Sequence, residues 1–204
     1  MPTRSARAQI VVGKVVTVVD PGSAKAVLAA LAREGMATGD VRRIVLTHGD
    51  GDHWTGAAAL QDATGAEIVA HADERGYLEG RAVPPFSLVK RGFIVMSRFV
   101  RRPTIARWLA DGEEIDDMHV IHTPGHTPGH IVLVAGDALI AGDALRTGDE
   151  FREVPTVMTS DLVRSRASIG KLGELDVRRA FSGHGPPSDD AAAKLRALAA
   201  RTAS

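Results

Sequence analysis

The sequence predicts an α/β fold, and three observations carry that prediction. Valine-rich strands alternate with Ala/Leu-rich helices in the first part of the chain, a polar cluster sits just past the end of one strand, and short strands follow in quick succession later on. With 204 residues, 44% of them hydrophobic, the chain is long enough to bury a full core as one domain. The expected organisation is a disordered tail over residues 1–9 and a single domain over 10–204. Ile10 to Val19 is rich in valine and ends at Asp20-Pro21-Gly22-Ser23, which reads as one strand and a turn. A helix follows from Ser23 to about Glu34: Ser23 can cap it, Val27, Leu28 and Leu31 recur at helical spacing, and Gly35 stops it. Val41 to Thr47 is a second strand, Trp54 to Ala63 a helix, Glu67 to His71 a strand and Asp73 to Leu78 a short helical piece. Arg81 to Arg107 is less regular, with seven basic residues and no acidic one. Met118 to His122, His130 to Val134, Leu139 to Ala141 and Arg179 to Ser182 read as short strands, and Ser160 to Leu175 and Asp190 to Ala200 as helices.

Composition removes several function classes. Twenty-five basic residues balance 25 acidic ones, so no global charge draws the protein to nucleic acid or to an anionic membrane, and a small-molecule partner is expected. There are no cysteines, which excludes disulfides, thiolate zinc ligands and a cysteine nucleophile; any metal must bind through His, Asp or Glu. No G-x-S-x-G elbow occurs, so a serine hydrolase has no support. No run approaches the roughly 20 apolar residues of a spanning helix and no signal peptide is read, so the expected location is cytoplasmic. A homodimer is left open.

Four clusters carry chemistry. THGDGDH, from Thr47 to His53, places His48, Asp50, Asp52 and His53 together just past a strand end, where open α/β sheets hold their ligands. Alternate positions of an extended segment share a side, so His48, Asp50 and Asp52 are expected to converge, with His53 beside them. HTPGHTPGH, from His122 to His130, spaces three histidines four apart, but Pro124 and Pro128 forbid a single helical face, which leaves a strand end and a loop. AGDAL occurs at 135–139 and again at 141–145. Gly136-Asp137 fits the turn of a hairpin, whereas Asp143 lies at the far end of the returning strand, on the edge that carries the His126 loop; Asp143 is therefore the better ligand candidate. FSGHGPP sets His184 between two glycines at a strand end.

Taken in order, these motifs resemble the metallo-β-lactamase superfamily of dinuclear metal hydrolases, and the resemblance extends to the VVDPG turn at Val18 to Gly22. It implies a four-layer αββα sandwich with the metal site at one edge of the sheets. It also implies that His48, Asp50 and His126 hold a first metal, that Asp52, His53 and His184 hold a second, and that Asp143 bridges the two. Asp52 would orient the nucleophile and take part in proton transfer, and His122 and His130 would support the ligands from behind. The implied cofactors are two divalent ions, zinc first. Asp50 stands where the superfamily usually has histidine, and the added carboxylate makes the site richer in oxygen, which leaves manganese and iron as alternatives. The implied reaction is attack of a metal-bridging hydroxide on an ester, lactone or thioester of a small molecule. Two alternatives from the same fold are a mononuclear iron dioxygenase acting on persulfides and a phosphodiesterase.

Two further expectations concern the remaining residues. His71 ends an apolar strand and is read as structural. The middle segment combines Phe86, Phe93, Ile94, Met96, Phe99 and Trp108 with Lys90, Arg91, Arg98, Arg101 and Arg102. It is either a lid whose arginines meet an anionic group, or a helix with a solvated basic face or a dimer contact.

Overall fold

The computed structural model of the chain describes residues 6–82 and 100–203. Two five-stranded sheets face each other. In the first, β1 (Gln9–Val12) pairs antiparallel with β2 (Val16–Val19), and β3 (Val41–Leu46), β4 (Glu67–His71) and β5 (Ile105–Leu109) continue in parallel in the order β1-β2-β3-β4-β5. The second runs in reverse order. It places β10 (Arg179–Ser182) parallel to β9 (Ala138–Gly142), then β8 (Ile131–Ala135), β7 (Met118–His122) and β6 (Glu114–Ile115) in antiparallel succession.

Strand periodicity explains the layering. Successive strand residues point to opposite faces, so Val18, Ile44 and Ile68 turn outward to a helix layer while Val19, Val45 and Val69 turn inward to the other sheet. The outward set packs on α1 (Ala24–Arg33) and α3 (Ala57–Thr64) through Val27, Leu31 and Leu60. The inward set meets Met118, Val120, Ile131 and Leu133 of the second sheet. On the far side, Val132, Leu139 and Ala141 pack against α4 (Leu162–Leu172) and α5 (Ala191–Thr202) through Ile169, Leu172, Leu195 and Leu198. Three apolar layers thus separate four layers of structure, which is the αββα sandwich. Each fully buried valine, leucine or isoleucine contributes about 1.5–3 kcal/mol.

Local readings and structure differ at three places. Ile10 to Val19 is a hairpin rather than one strand: Gly13 and Lys14 turn the chain, the Gly13 amide donates to the Val15 carbonyl at 3.2 Å, and Lys14 pairs with Asp117 at 2.7 Å. The helix expected from Trp54 is preceded by a separate turn, α2 (Gly51–Trp54), so that the cluster itself enters a helix. The irregular middle yields β5, whose sequence IARWL lacks clean alternation. The Gly136-Asp137 turn joins β8 to β9 as expected, and Asp137 there pairs with Arg178 and Arg179.

At the chain start Ala6 is buried, and the Arg7 amide donates to the Gly183 carbonyl at 2.9 Å. Arg101 reaches Asp62 and the Ala58 carbonyl, while Arg102 donates to the Tyr77 and Leu78 carbonyls and lies over the Trp54 ring. Trp108 packs against the first outer core under Arg75. Arg101 and Arg102 therefore brace helices of the first sheet. Phe86, Lys90, Arg91, Phe93, Ile94, Met96, Arg98 and Phe99, and with them the lid reading, lie outside the described residues. Among the described residues no helix is long and apolar enough to cross a membrane.

Candidate metal centre

The segments that follow β2, β3, β4, β7, β9 and β10 gather at one edge of the two sheets, and seven His and Asp side chains meet there. The first cluster is not the extended segment its spacing implies. Past β3 the chain leaves the strand at Thr47, Asp50 takes the position before α2, and the His53 amide donates to the Asp50 carbonyl at 3.0 Å, so Asp52 and His53 occupy the first helical turn. Convergence comes from a strand end, a tight bend and a helix start in succession. The Trp54 indole donates to the Gly49 carbonyl at 3.0 Å and holds the bend closed.

Two triads result. In one, His126 Nε2 lies 3.1 Å from Asp50 Oδ2, and His48 Nε2 lies 3.9 Å from the same oxygen. In the other, His184 Nε2 lies 3.1 Å from Asp52 Oδ2, with His53 completing the group. Asp143 stands between them: its Oδ2 is 3.9 Å from His126 Nε2 and 3.5 Å from His184 Nε2, and its Oδ1 is 3.6 Å from His53 Nε2. Gly142 makes this placement possible. It has φ +48, and a Cβ there would come within 2.7 Å of the Thr47 hydroxyl and 2.8 Å of His130 Nε2.

The donors fit metal ions. Ligand atoms held about 2.0–2.1 Å from a tetrahedral ion lie roughly 3.3 Å apart, and the separations here, 3.1–3.9 Å, bracket that spacing. Moreover, His53 Nε2 and Asp143 Oδ1 are buried without a hydrogen-bond partner among the described residues, although such groups are costly to leave unsatisfied. A cation between them would satisfy both.

Electrostatics agree. Burial disfavours the His53 cation, yet Asp143 and Asp20 together hold its pKa well above that of an ordinary histidine. For Asp143 burial favours the neutral acid, and the facing His53, His126 and His184 outweigh it and hold the carboxyl well below the usual range. His184 is raised chiefly by its hydrogen bond to Asp52. Without an ion, protons on imidazoles balance the carboxylates; a bound cation takes over that task.

The rings are aimed from behind. His53 Nδ1 bonds Asp20 Oδ2 at 2.9 Å, which turns Nε2 toward Asp143. Asp20 also accepts from the Thr47 amide at 2.8 Å and the Thr47 hydroxyl at 2.7 Å, and Thr47 Oγ1 contacts His48 Nδ1 at 2.9 Å. Asp20 sits at φ +53, a conformation that costs a non-glycine residue about 1 kcal/mol or more and that these hydrogen bonds offset. Sequence reading saw Asp20 only as part of a turn; the available signal was an acidic residue ending an apolar strand at the edge where the ligands gather. His130 Nε2 accepts the Asp143 amide at 3.0 Å, so its proton resides on Nδ1 and is donated to Thr123 Oγ1 at 2.8 Å. Burial, and next the nearby His126, keep His130 well below an ordinary histidine. His122 stands further out: Nε2 donates to the Pro128 carbonyl at 2.9 Å, and the ring stacks on His71 with centroids 4.1 Å apart, touching none of the seven.

A family model described as the metallo-beta-lactamase superfamily matches residues 9–184. The chain belongs to that superfamily. A hydroxyacylglutathione hydrolase of Cereibacter sphaeroides is 33% identical over 125 residues, which are 59% of this chain and 38% of that protein. The probable metallo-hydrolase YflN of Bacillus subtilis is 29% identical over 172 residues, 72% of this chain and 65% of the relative. This chain thus spans well under half the length of the hydroxyacylglutathione hydrolases it matches. Among solved structures, TTHA1623 in a di-iron-bound form superposes with a TM-score of 0.75 at 24% identity, over 99% of this chain and 96% of that one. BLEG-1, a B3 metallo-beta-lactamase, gives 0.71 at 25% identity, over 93% and 91%. Superfamily membership and the fold agree with the layering and with the edge at which the triads meet.

Proposed function

We propose that the chain is a metal-dependent hydrolase in which two divalent ions, zinc before manganese or iron, serve an ester, lactone or thioester of a small molecule. The observation that carries this reading is the pair of His/Asp triads sharing one carboxylate, Asp143, with His53 Nε2 and Asp143 Oδ1 buried and without a hydrogen-bond partner among the described residues. The hydrolase names of the relatives support the reaction class. His48, Asp50 and His126 would hold one ion, Asp52, His53 and His184 the other, and Asp143 both. Bound there, the ions lower the pKa of water and polarise the carbonyl under attack.

The protein's own groups do the rest. Asp52 is about one quarter exposed, as is its partner His184, so this side of the centre is the one open to substrate. The Asp52 carboxylate can orient an attacking water and accept its proton, while Asp20, through Nδ1, keeps His53 from turning away. His48, His53 and His126 are all but inaccessible, which shields their face of the centre from solvent.

Elemental analysis of purified protein after loading with zinc, manganese or iron, followed by a screen of thioesters, lactones, aryl esters and phosphodiesters, tests the reading. It expects two ions per chain and turnover of a carbonyl substrate. Substoichiometric metal after all three supplements contradicts it, and oxygen uptake with a single bound iron replaces it with the dioxygenase.

A further inference from the structure

Glu74 is a buried carboxylate to which the sequence assigns no task, and it lies where the two loops of one triad meet. It ends the turn Ala72–Glu74 that follows β4 and is wholly inaccessible. Each oxygen accepts one backbone amide: Oε2 from Gly49 at 2.7 Å and Oε1 from Gly129 at 2.8 Å. Gly49 lies between His48 and Asp50, and Gly129 closes the loop that carries His126. Backbone amides 25 and 55 residues away in sequence are thus tied to one carboxylate.

The packing leaves little slack. A Cβ on Gly49 would stand 2.8 Å from Glu74 Oε2 and 2.7 Å from the Tyr77 Cβ, and one on Gly129 would stand 2.6 Å from the Glu74 amide nitrogen. The stack of His71 on His122 holds the turn in place from outside, since His71 Nδ1 accepts the Asp73 amide at 3.2 Å and His122 is anchored to Pro128. Among the described residues no comparable link runs from Glu74 to the other triad: His53 is aimed by Asp20, and His184 follows β10 on the far side of Asp143.

We infer that Glu74 is a positioning residue that sets the distance between the Gly49 and Gly129 loops, and thereby tunes metal affinity at the His48, Asp50 and His126 triad selectively. This rests on the dinuclear reading above. A carboxylate serves where an amide would not, because both backbone groups are donors and Gln would present an NH2 to one of them. Supporting groups of this kind change metal affinity by about 10–100-fold when removed.

The test uses the full chain and measures zinc affinity against a chromophoric chelator, with one triad disabled at a time. His184→Ala leaves the Glu74-linked triad, and His126→Ala leaves the other. Glu74→Gln is expected to weaken zinc by about 10–100-fold in the first background and to change it less than about threefold in the second. Glu74→Asp, which keeps the carboxyl group but is one methylene shorter, is expected to fall between. Amide exchange at Gly49 and Gly129 in the metal-free protein is expected to quicken in Glu74→Gln, a readout independent of any metal. Equal weakening in both backgrounds, or no weakening in the first, overturns the proposal while leaving the dinuclear reading intact. A wild-type chain that takes up no zinc overturns both.

Discussion

Two groups of histidine and aspartate lie at the same edge of this sandwich, and they differ in how their ring nitrogens are turned and bonded. His71, Asp73 and His122 bring ligand atoms as near to one another as the two triads do. Yet His71 and His122 stack with planes 14° apart, one ring nitrogen accepts the Asp73 amide, and another donates to the Pro128 carbonyl. The ring nitrogens nearest Asp73, His71 Nδ1 and His122 Nε2, are thus already committed, and parallel rings cannot both direct an in-plane nitrogen at one ion. In the triads, by contrast, His48 and His126 cross at 87°, His53 and His184 at 74°, and the outward-facing Nδ1 atoms of His48 and His53 are bonded from behind. Proximity of ligand types is common; ring nitrogens that converge, with their tautomers fixed from behind, are what a metal needs.

The largest way to break this comparison is Asp143→Ala, which removes the shared carboxylate. Metal affinity is expected to fall by more than about 100-fold at both triads, since a ligand matters more than its supporting groups, and turnover of any substrate should fall with it. Asp20→Asn comes next. It removes the charge behind His53 and is expected to weaken zinc at the Asp52, His53 and His184 triad by about 10–100-fold, leaving the other within a few-fold, as read by chelator competition in single-triad backgrounds.

Acidity sharpens the contrast further. His53 and His184 have raised pKa values and therefore hold protons to higher pH than ordinary histidines, so zinc must displace those protons. Uptake should release protons, measured in weakly buffered solution, and affinity should rise by about tenfold per pH unit for each proton displaced and fall as pH drops through that range. His71 is lowered by burial and by His122, so it is already neutral there and adds nothing to the release. The smallest effect is at the stack. Replacing His71 and His122 together with Ala is expected to cost about 0.5–1.5 kcal/mol of stability for the lost ring pair, measured by denaturant unfolding, and to leave both ions bound.

Much of this was legible in the residues because metal chemistry restricts side-chain type. With no cysteine, any metal ligands had to be His, Asp or Glu, and the motifs at His48, His126, Asp143 and His184 set such residues beside glycines. The choice of Asp143 over Asp137 followed from hairpin geometry, and the structure puts Asp137 in the turn. What stayed hidden was non-local. Asp20 acts across 33 residues on His53, and Glu74 across 55 on Gly129, and neither bond leaves a periodic or compositional trace. The expected same-side projection of His48, Asp50 and Asp52 also failed, because Gly51 starts a helix where strand spacing was assumed. His122 and His130 look equivalent as flanking histidines, yet His130 accepts the Asp143 amide and His122 stacks on His71, a difference that their equal spacing from His126 does not encode.

The central claim, that the two triads and not the histidine stack bind metal around a shared Asp143, is tested most directly by anomalous diffraction at the zinc edge from crystals of the zinc-loaded protein. The account predicts two peaks, one on each side of Asp143, and none between His71, Asp73 and His122. A single peak with Asp143 turned away from it, or a peak at the stack, would contradict it.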